Sequence, residues 1–548
     1  MDSLFSFPLL SRRTLLEAAA LAPFGTMLPG VLHAAPARGF THSVASGDPL
    51  QDSVTLWTRF VPASGAAVSL QVEIASDMAF RRIAARSTAQ AGPETDFCTK
   101  VRSEGLEPGQ WYYYRFTAPD GQVSDTGRTR TLPSGPLGQF RIGVFSCANA
   151  TSGWFNAYGH AAARNDLDLV VHLGDYIYES KLTRSDALKE LAVSRGIQPQ
   201  HETVSLLDYR LRYASYRRDA DLQALHRAYP MIAMCDDHET VNNSWQHGAE
   251  NHGTDEGPWE ARMGAAMQAW HEWMPMRPEP YTRYELGDLA SLFRLETRIL
   301  ARSKQLDLAA WLKDKPDLAA AAIAFRDGPL ADPHRTMMGP EQEKWLADGL
   351  AGSVATGTKW QILAQQVIMG TTIMPRGYMA WFPSDAPPSE TKRAELERAV
   401  QLGALGIPTS MDRWDGYPAA RGRVLAAAQS AGADLVVLSG DSHNGWAYDL
   451  DHAGKPAGVE FAGHSVSSLG MDKRYSGDPS AITRSYLDSN PALKWCDTSQ
   501  RGYMVVDVRP EAVTNEWLFL PSRHRRSLEV LGSHRMQVLP GTNRLSGA

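Results

Sequence analysis

The chain has 548 residues, of which 43% are hydrophobic and 21% charged, a composition typical of a soluble globular protein with more than one domain. Its formal net charge of −6, from 55 basic and 61 acidic side chains, excludes the basic surface of a protein that wraps nucleic acid or an anionic bilayer. The sequence contains no internal repeat or low-complexity tract, which also excludes a solenoid.

The first 37 residues have the pattern of an export signal. Arg12 and Arg13 directly precede an apolar stretch that runs to about Leu32, and residues 35–37, Ala-Pro-Ala, offer a cleavage site. Two prolines and two glycines interrupt the stretch, which makes it a poor membrane-spanning helix. The alternative is an ordinary helix that happens to carry two arginines. The pattern resembles a twin-arginine signal, which implies the twin-arginine export machinery as a partner and a mature protein that starts near Arg38.

This resemblance has two further implications. The mature protein is expected to be periplasmic or secreted, without a transmembrane segment. Because the twin-arginine pathway carries folded proteins, the signal also suggests a cofactor that is inserted before export.

Residues 38–134 are predicted to form a small all-β sandwich domain. Short runs with strand patterns, such as Ser53–Thr58 and Trp111–Phe116, are separated by Gly-Asp, Pro-Gly and Asp-Gly pairs. The region has no cluster of histidines or carboxylates, which favours a structural or substrate-flanking role. The segment Pro133–Gly138 is typical of a linker.

Residues 139–548 are predicted to form an α/β domain with helical insertions. Short buried runs rich in valine, isoleucine and leucine predict strands in a layered α/β sandwich, with helices such as Asp208–Arg227 between them. The five runs span residues 140–145, 167–173, 231–234, 360–363 and 435–438. Residues from about His247 to Gly339 contain few motifs and are predicted to hold inserted helices that shape substrate access.

Residues with ligand chemistry follow four of these five strands. They are Ser-Cys-Ala-Asn at 146–149, Gly-Asp-Tyr-Ile-Tyr-Glu at 174–179, Cys-Asp-Asp-His-Glu at 235–239 and Gly-Asp-Ser-His-Asn at 440–444. Each segment alone is compatible with a turn or with buried packing. Because function in such sheets collects at the carboxyl ends of the strands, their recurrence predicts one shared metal site.

The strand ends supply six candidate metal ligands: Cys147, Asp175, Tyr178, Asp237, Asp441 and His443. Asp175 leaves its strand at a glycine and can offer both carboxylate oxygens, so it is the candidate bridge between two cations. Cys147 and Tyr178 offer thiolate and phenolate, which favour an iron(III)-like ion over magnesium. The remaining two carboxylates and one imidazole suit a harder cation such as calcium, but these residue types do not fix the second metal.

The order of these motifs resembles that of the calcineurin-like metallophosphoesterases and, within them, the PhoD-like phosphatases. The match consists of the cysteine in the first motif, GDxxY at 174–178, DDHE at 236–239 with Asn-Asn at 242–243, and GDxH at 440–443. It continues through residues 44–49, 209–213, 365–366 and 412–417, and so covers nearly the whole mature chain.

The resemblance implies a metallophosphoesterase fold behind the N-terminal sandwich. It also implies an iron(III) and calcium centre that hydrolyses phosphomonoesters and, in several members, diesters. By motif, the residues that would hold iron are Cys147, Asp175, Tyr178 and His443. Those that would face calcium are Asp175, Asp237 and Asp441.

The cysteines provide one departure from the family pattern. Cys235 precedes DDHE where the family usually has tryptophan, which leaves the shape of the pocket open; a small buried residue at a strand end is the favoured interpretation. None of the four cysteines has CxxC spacing, which argues against a zinc ribbon and allows at most two disulfides.

The expected reaction is hydrolysis of a small phosphate ester by a metal-bound hydroxide, since two cations acidify water and neutralise phosphoryl oxygens. His238 is predicted to protonate the leaving alkoxide or to hydrogen-bond the transition state, with a supporting or helix-capping role as the alternative. Asn149 and Asn242 are candidate donors to the phosphate, or ordinary turn residues. The chain lacks a GxSxG elbow and a P-loop, which disfavours covalent and ATP-driven schemes.

Two other functions are compatible with the sequence. The same scaffold suits an enzyme that is chiefly a phosphodiesterase, for example on phospholipid headgroups or wall teichoic acid. An exported protein without catalytic activity, in which metals only stabilise loops, is the alternative from another class.

Overall fold

The computed structural model describes residues 38–182, 194–520 and 523–548, so the predicted export signal at residues 1–37 lies outside the described residues. The strands of these ranges are β1 (Gly39–Gly47), β2 (Val54–Val61), β3 (Val68–Ala75), β4 (Ile83–Ala91), β5 (Cys98–Ser103), β6 (Trp111–Thr117), β7 (Gly127–Arg130), β8 (Phe140–Phe145), β9 (Leu169–His172), β10 (Met231–Ala233), β11 (Thr282–Leu286), β12 (Ala290–Arg294), β13 (Trp360–Ala364), β14 (Leu435–Ser439), β15 (Gly445–His452), β16 (Lys455–Ala462), β17 (Leu493–Asp497), β18 (Arg501–Arg509), β19 (Ala512–Leu520), β20 (Gly532–Val538) and β21 (Leu545–Gly547).

The α-helices of the same ranges are α1 (Asn156–Ala163), α2 (Leu206–Tyr216), α3 (Ala220–Ala228), α4 (Trp259–Trp273), α5 (Leu308–Leu312), α6 (Leu318–Phe325), α7 (Gly339–Ala355), α8 (Glu390–Ala404), α9 (Pro418–Ala431) and α10 (Pro479–Ser489). No helix of the described ranges is long and apolar enough to cross a membrane.

The N-terminal region is all β, as predicted, but its strands belong to two different sheets. One sheet has four strands in the order β4-β3-β6-β7. Strands β1, β2 and β5 instead extend a ten-stranded sheet, because β1 runs parallel to β10 with Gly47 opposite Met231. Leu56 of β2 packs with Val72 and Phe116 of the four-stranded sheet in one core. The predicted domain boundaries at residues 134 and 139 stay predictions.

Two large mixed sheets form the rest of the fold. The ten-stranded sheet has the order β21-β20-β19-β18-β8-β9-β10-β1-β2-β5, and a seven-stranded sheet has the order β11-β12-β13-β14-β16-β15-β17. All five predicted runs are strands: β8, β9 and β10 lie in parallel in the first sheet, and β13 and β14 lie in parallel in the second. The sequence did not separate the two sheets, because short apolar runs have the same pattern in either one.

One hydrophobic core joins the two large sheets. Ile142 of β8 belongs to the same buried cluster as Ile362 of β13 and Val436 of β14. Successive residues of a strand point to opposite faces, so Leu363 packs on the other side, with Leu425 of α9. Full burial of each such side chain stabilises the fold by about 1.5–3 kcal/mol.

The helices differ from the sequence prediction at one point. The pattern Asp208–Arg227 predicted one helix, whereas the chain forms α2 and α3. The break occurs because Asp219 caps α3, where its side chain accepts hydrogen bonds from the backbone N–H groups of Asp221 and Leu222. The stretch His247–Gly339 contains helices, as predicted, but also β11 and β12, and β12 pairs with β13.

The cysteines are all buried and free of disulfides. Cys235 Sγ lies 3.9 Å from Met267 Sδ. Burial raises the pKa of the Cys235 thiol well above its ordinary value, as expected for a thiol that serves in packing.

Candidate metal centre

The carboxyl ends of β8, β9, β10 and β14 converge where the two large sheets meet. Gly440 follows β14 and lies so close to the segment after β8 that a Cβ at this position would be 2.7 Å from Ser146 Cβ. Gly174 follows β9 with φ 109°, and a Cβ there would overlap Asp236. Only glycine is compatible with both positions, so the glycines of the two GD pairs allow the motif segments to approach one another.

Four of the six candidate ligands have a left-handed backbone, with φ of 59° at Cys147, 55° at Asp175, 61° at Asp441 and 63° at His443. This conformation costs a non-glycine residue about 1–2 kcal/mol. Hydrogen bonds from the Cys147 N–H to Gly174 O (3.2 Å) and from the Ala148 N–H to Asp175 O (2.9 Å) hold it in place. Strain that the surroundings enforce in this way is typical of functional sites.

The first group of candidate ligands is Cys147, Asp175 and His443, which offer ligand atoms within 4.8 Å of one another. The Tyr178 hydroxyl completes it by donating to Asp175 Oδ2 at 2.8 Å, and it lies 3.1 Å from His443 Nε2. The structure therefore brings together the four residues that the resemblance assigned to iron. We refer to them as the thiol–phenol group.

The thiol–phenol group has the properties of a cation site. Burial, and after it the charge of Asp175, raises the pKa of both Cys147 and Tyr178 well above their ordinary values. Asp175 Oδ1 is buried and has no hydrogen-bond partner among the described residues, which costs about 1–3 kcal/mol. A cation bound here would favour the thiolate form of Cys147 and the phenolate form of Tyr178, and it would give Asp175 Oδ1 a partner. Thiolate, phenolate, imidazole and carboxylate together suit a highly charged, iron-like ion.

A second set of ligand atoms adjoins the first. Asp175, Asp237 and His238 offer atoms within 4.8 Å of one another, and so do Asp236, Asp237 and Asp441. Asp237 belongs to both of these three-residue groups and therefore connects Asp175 with Asp441. The three carboxylates that the resemblance assigned to calcium thus form one continuous acidic cluster, which suits a hard cation.

Arg298 is the main residue of the site that sequence reasoning missed. Its guanidinium is fully buried and joins three carboxylates: Nε binds Asp236, Nη1 lies 2.7 Å from Asp412 Oδ2, and Nη2 lies 3.0 Å from Asp441 Oδ1. Burial raises the pKa of Asp441 to about 6, and Arg298 opposes that rise. Arg298 lies in the stretch 247–339, where no motif marked it.

His238 is held by a buried carboxylate. Its Nδ1 lies 2.6 Å from Glu179 Oε2, and Glu179 Oε1 accepts a hydrogen bond from the Asn242 N–H at 2.9 Å. The imidazole lies over Tyr178, with ring centroids 4.2 Å apart. Its Nε2 has no hydrogen-bond partner within the described ranges. His238 is therefore oriented at the centre, with one ring nitrogen available to a substrate or to a cation.

Two further buried side chains hold the loops that carry the candidate ligands. Glu239 accepts hydrogen bonds from the N–H groups of Asp175 (3.0 Å) and Asp236 (2.7 Å). Ser468 Oγ lies 2.8 Å from Cys147 O and 2.7 Å from the Tyr178 hydroxyl. Glu239 was visible in the DDHE motif without an assigned role, whereas Ser468 follows β16 with no sequence signal.

The two asparagines predicted to bind phosphate are both engaged in loops. Asn149 Oδ1 accepts hydrogen bonds from the Thr151 N–H (2.9 Å) and the Thr151 hydroxyl (2.7 Å), which leaves only its N–H2 group available. Asn242 donates its N–H2 group to Asn251 Oδ1 at 3.1 Å, and its backbone N–H serves Glu179. The role as a turn residue thus accounts for the contacts of Asn242. For Asn149 it accounts for the side-chain oxygen but not for the N–H2 group.

Known proteins match this arrangement along most of the chain. The family model for the PhoD-like phosphatase matches residues 142–517, and that for the PhoD-like phosphatase, N-terminal domain, matches residues 29–133. Alkaline phosphatase D of Bacillus subtilis (strain 168) is 34% identical over an alignment of 512 residues that covers 88% of this chain and 78% of that protein.

Solved structures agree with these matches. A structure described as PhoD has a TM-score of 0.74 and 30% identity, over 94% of this chain and 93% of the other. The purple acid phosphatase PPD1 of yellow lupin seeds shares the fold, with a TM-score of 0.52 and 13% identity over 90% of this chain and 73% of its own. The resemblance inferred from the motifs is confirmed, and the chain belongs to the PhoD-like phosphatase family.

Proposed function

We propose that this protein is an exported phosphoester hydrolase that uses Fe³⁺ and Ca²⁺, acts as an alkaline phosphatase and also cleaves phosphodiesters. The observation that carries the proposal is the thiol–phenol group beside the carboxylates of Asp237 and Asp441, with Asp175 Oδ1 buried and without a hydrogen-bond partner among the described residues. The name of the relative, alkaline phosphatase D, supports the monoester activity. The shared core of the two large sheets and the helix packing behind it support a layered α/β metallophosphoesterase fold.

In this proposal the chain's own residues orient the substrate and deliver a proton to its leaving oxygen. The bound cations would supply the positive charge that neutralises the phosphoryl oxygens and lowers the pKa of water. Water gives up one proton to the solvent and adds to phosphorus, the bond from phosphorus to the ester oxygen breaks, and that oxygen takes up a proton. Arg298 and Glu239 hold Asp441 and Asp175 in register, so that little rearrangement is needed during the reaction.

His238 is the proposed proton donor. When both ring nitrogens are protonated, Nδ1 donates to Glu179, and Nε2 can deliver its proton to the leaving oxygen. Because His238 also belongs to a group of potential ligands with Asp175 and Asp237, ligation of a cation is the competing role. The two roles predict different dependences on the leaving group.

The His238→Gln variant is expected to lose about 10²–10⁴-fold in kcat on an alkyl phosphate, whose leaving oxygen needs a proton. The loss on a nitrophenyl phosphate, whose leaving group is stable as an anion, should be much smaller. Glu179→Gln should also lose more kcat on the alkyl phosphate than on the nitrophenyl phosphate, but the losses should be smaller. This change keeps the imidazole of His238 and removes only the carboxylate that orients it. Equal losses on both substrates, together with loss of bound metal, would instead make His238 a ligand.

The substrate proposal is tested by the turnover of a nitrophenyl monoester and the bis-ester of the same phenol. We expect the metal-loaded protein to hydrolyse both, with the larger kcat/KM for the monoester, and to stop after chelation. A clear preference for the bis-ester would make the protein chiefly a phosphodiesterase. If neither ester were hydrolysed, the proposal would fail and a metal-stabilised protein without catalytic activity would remain.

Export is part of the proposal and rests on the sequence. The Arg12-Arg13 pair and the apolar stretch after it support recognition by the twin-arginine machinery and a periplasmic or secreted location.

A further inference from the structure

The loop that follows β16 places Ser468 against the thiol–phenol group. β16 belongs to the seven-stranded sheet, whereas Cys147 follows β8 of the ten-stranded sheet, so this contact joins the two sheets. Ser468 is buried, with 1% of its surface exposed. Its Oγ lies 2.7 Å from the hydroxyl oxygen of Tyr178 and 2.8 Å from Cys147 O. Ser468 therefore contacts the phenol of one candidate ligand and the backbone of another.

Backbone contacts fix the position of Ser468. Its N–H donates to Cys147 O at 3.2 Å. Its carbonyl oxygen accepts hydrogen bonds from Arg501 Nε at 2.6 Å and from the Ser465 hydroxyl at 2.7 Å. Because these contacts do not involve the hydroxyl of Ser468, the loop keeps its backbone contacts when that hydroxyl is removed. The effect of the hydroxyl can therefore be measured in a loop that stays in place.

The hydroxyl of Ser468 has one hydrogen to donate and two acceptors within reach. It accepts from the Asn149 N–H at 3.2 Å, and it can donate to Cys147 O or to the Tyr178 oxygen. Cys147 O already accepts from the backbone N–H of Ser468, so it does not need the hydroxyl. In the metal-free protein the phenol has its own hydrogen, which it donates to Asp175 Oδ2 at 2.8 Å. The Ser468 hydrogen is therefore available for a hydrogen bond to Tyr178.

A phenol that binds a cation such as Fe³⁺ does so as a phenolate, and its hydrogen leaves to the solvent as a proton. The Tyr178 oxygen can then only accept hydrogen bonds. Its neighbours within the described ranges are Asp175 Oδ2, His443 Nε2 and Ser468 Oγ. A carboxylate has no hydrogen to donate, and Nε2 of a neutral His443 has none, because Nδ1 donates to Leu469 O at 2.7 Å. Of these three neighbours, Ser468 is the one that can donate.

We propose that Ser468 is a positioning residue that donates a hydrogen bond to the phenolate of Tyr178 and so controls how strongly this ligand donates electrons to Fe³⁺. The inference rests on the iron site of the proposed function. A hydrogen bond to an anionic ligand oxygen lowers the energy of its electrons, so the transfer of an electron from ligand to metal requires more energy. The same bond weakens the donation that favours Fe³⁺ over Fe²⁺ and therefore raises the reduction potential.

The test compares the visible spectra of the iron-loaded wild type and its Ser468 variants. In Ser468→Ala we expect the charge-transfer band to move to longer wavelength and the reduction potential to fall. Ser468→Thr keeps the hydroxyl and should keep the band near its wild-type position. Ser467→Ala is the matched control, because Ser467 is buried in the same loop and its hydroxyl donates to Asn149 O at 2.9 Å. This control should leave the band and the potential unchanged.

A second measurement needs only the wild type. Resonance Raman spectra excited in the charge-transfer band report the C–O stretch of the bound phenolate. Replacing H₂O by D₂O exchanges the hydroxyl hydrogen of Ser468, so this stretch should shift in the wild type and in Ser467→Ala. In Ser468→Ala the shift should be lost. If Ser468→Ala takes up no iron, the wild-type comparison decides the question.

These spectra separate the hydrogen bond from the hydrolase function. A displaced band and a lost isotope shift in Ser468→Ala, in a protein that hydrolyses no ester, would support the hydrogen bond while the hydrolase function fails. A C–O frequency that is the same in H₂O and D₂O, or a band that does not move in Ser468→Ala, would overturn the proposal whether or not esters are hydrolysed. A wild type that shows no charge-transfer band after addition of Fe³⁺ would overturn it as well.

Discussion

Replacing Asp175 by asparagine is expected to remove the metal at the thiol–phenol group and to lower kcat on a phosphomonoester by more than about 10²–10³-fold, the cost of losing a strong transition-state contact. The amide oxygen can still accept from the Tyr178 hydroxyl, and the backbone N–H can still bind Glu239, so the loop should keep its shape. Metal-free Asp175→Asn should be at least as stable as the metal-free wild type, because one buried negative charge is gone.

Metal analysis, steady-state kinetics and denaturant unfolding of the metal-free forms check this prediction. Asp507→Asn, on β18 beside Gln139 and Arg141, removes a carboxylate away from the centre and is the control. A loss of stability in Asp175→Asn, in a protein whose wild type hydrolyses no ester, would favour metals that only stabilise loops. Retention of full metal content and turnover by Asp175→Asn would contradict the bridging role.

Replacing Arg298 by methionine should have the largest effect on stability. The change leaves buried Asp236 and half-buried Asp441 without the cation that they share, whereas Asp412 keeps its ion pair with Arg302, and breaking a buried ion pair from one side costs about 3–5 kcal/mol. Since Arg298 also orients Asp441, we expect about 10- to 100-fold weaker binding of calcium. Denaturant unfolding and a calcium titration measure the two effects separately.

A second substitution distinguishes lost charge balance from lost packing. Adding Asp236→Asn to Arg298→Met should recover part of the stability, because it removes one of the uncompensated carboxylates. The calcium affinity should stay low, since Asp441 is still not held. An Arg298→Met protein with wild-type stability and calcium affinity would be incompatible with this role.

Most of the candidate site was predictable because its candidate ligands follow buried strands directly. Each candidate in the segments 146–149, 174–179, 235–239 and 440–444 lies within a few residues of a strand end, so local pattern and residue chemistry were sufficient to select the residues that the fold brings together. Arg298 was not predictable in this way, because it meets Asp441 across 143 positions of sequence. Ser468 likewise acts from a loop that only the folded sheets bring to Tyr178.

For the fold, the individual strands were predictable from the sequence, but their arrangement into sheets was not. Apolar runs identified β8, β9, β10, β13 and β14, since burial on both faces produces continuous hydrophobic segments. They did not reveal that these strands divide between two sheets, or that β1 joins β10, because strand pairing depends on contacts far apart in sequence. The break between α2 and α3 depends on a single cap at Asp219, and the spacing of apolar residues along a helix does not indicate such a cap.

The most direct test of the central claim is the metal content and visible spectrum of the protein purified from a host that exports it. We predict that each chain holds iron and calcium, with an absorption band from charge transfer between Fe³⁺ and the side chains of Tyr178 and Cys147. Protein that is active with zinc or manganese alone, with no iron and no such band, would contradict the claim.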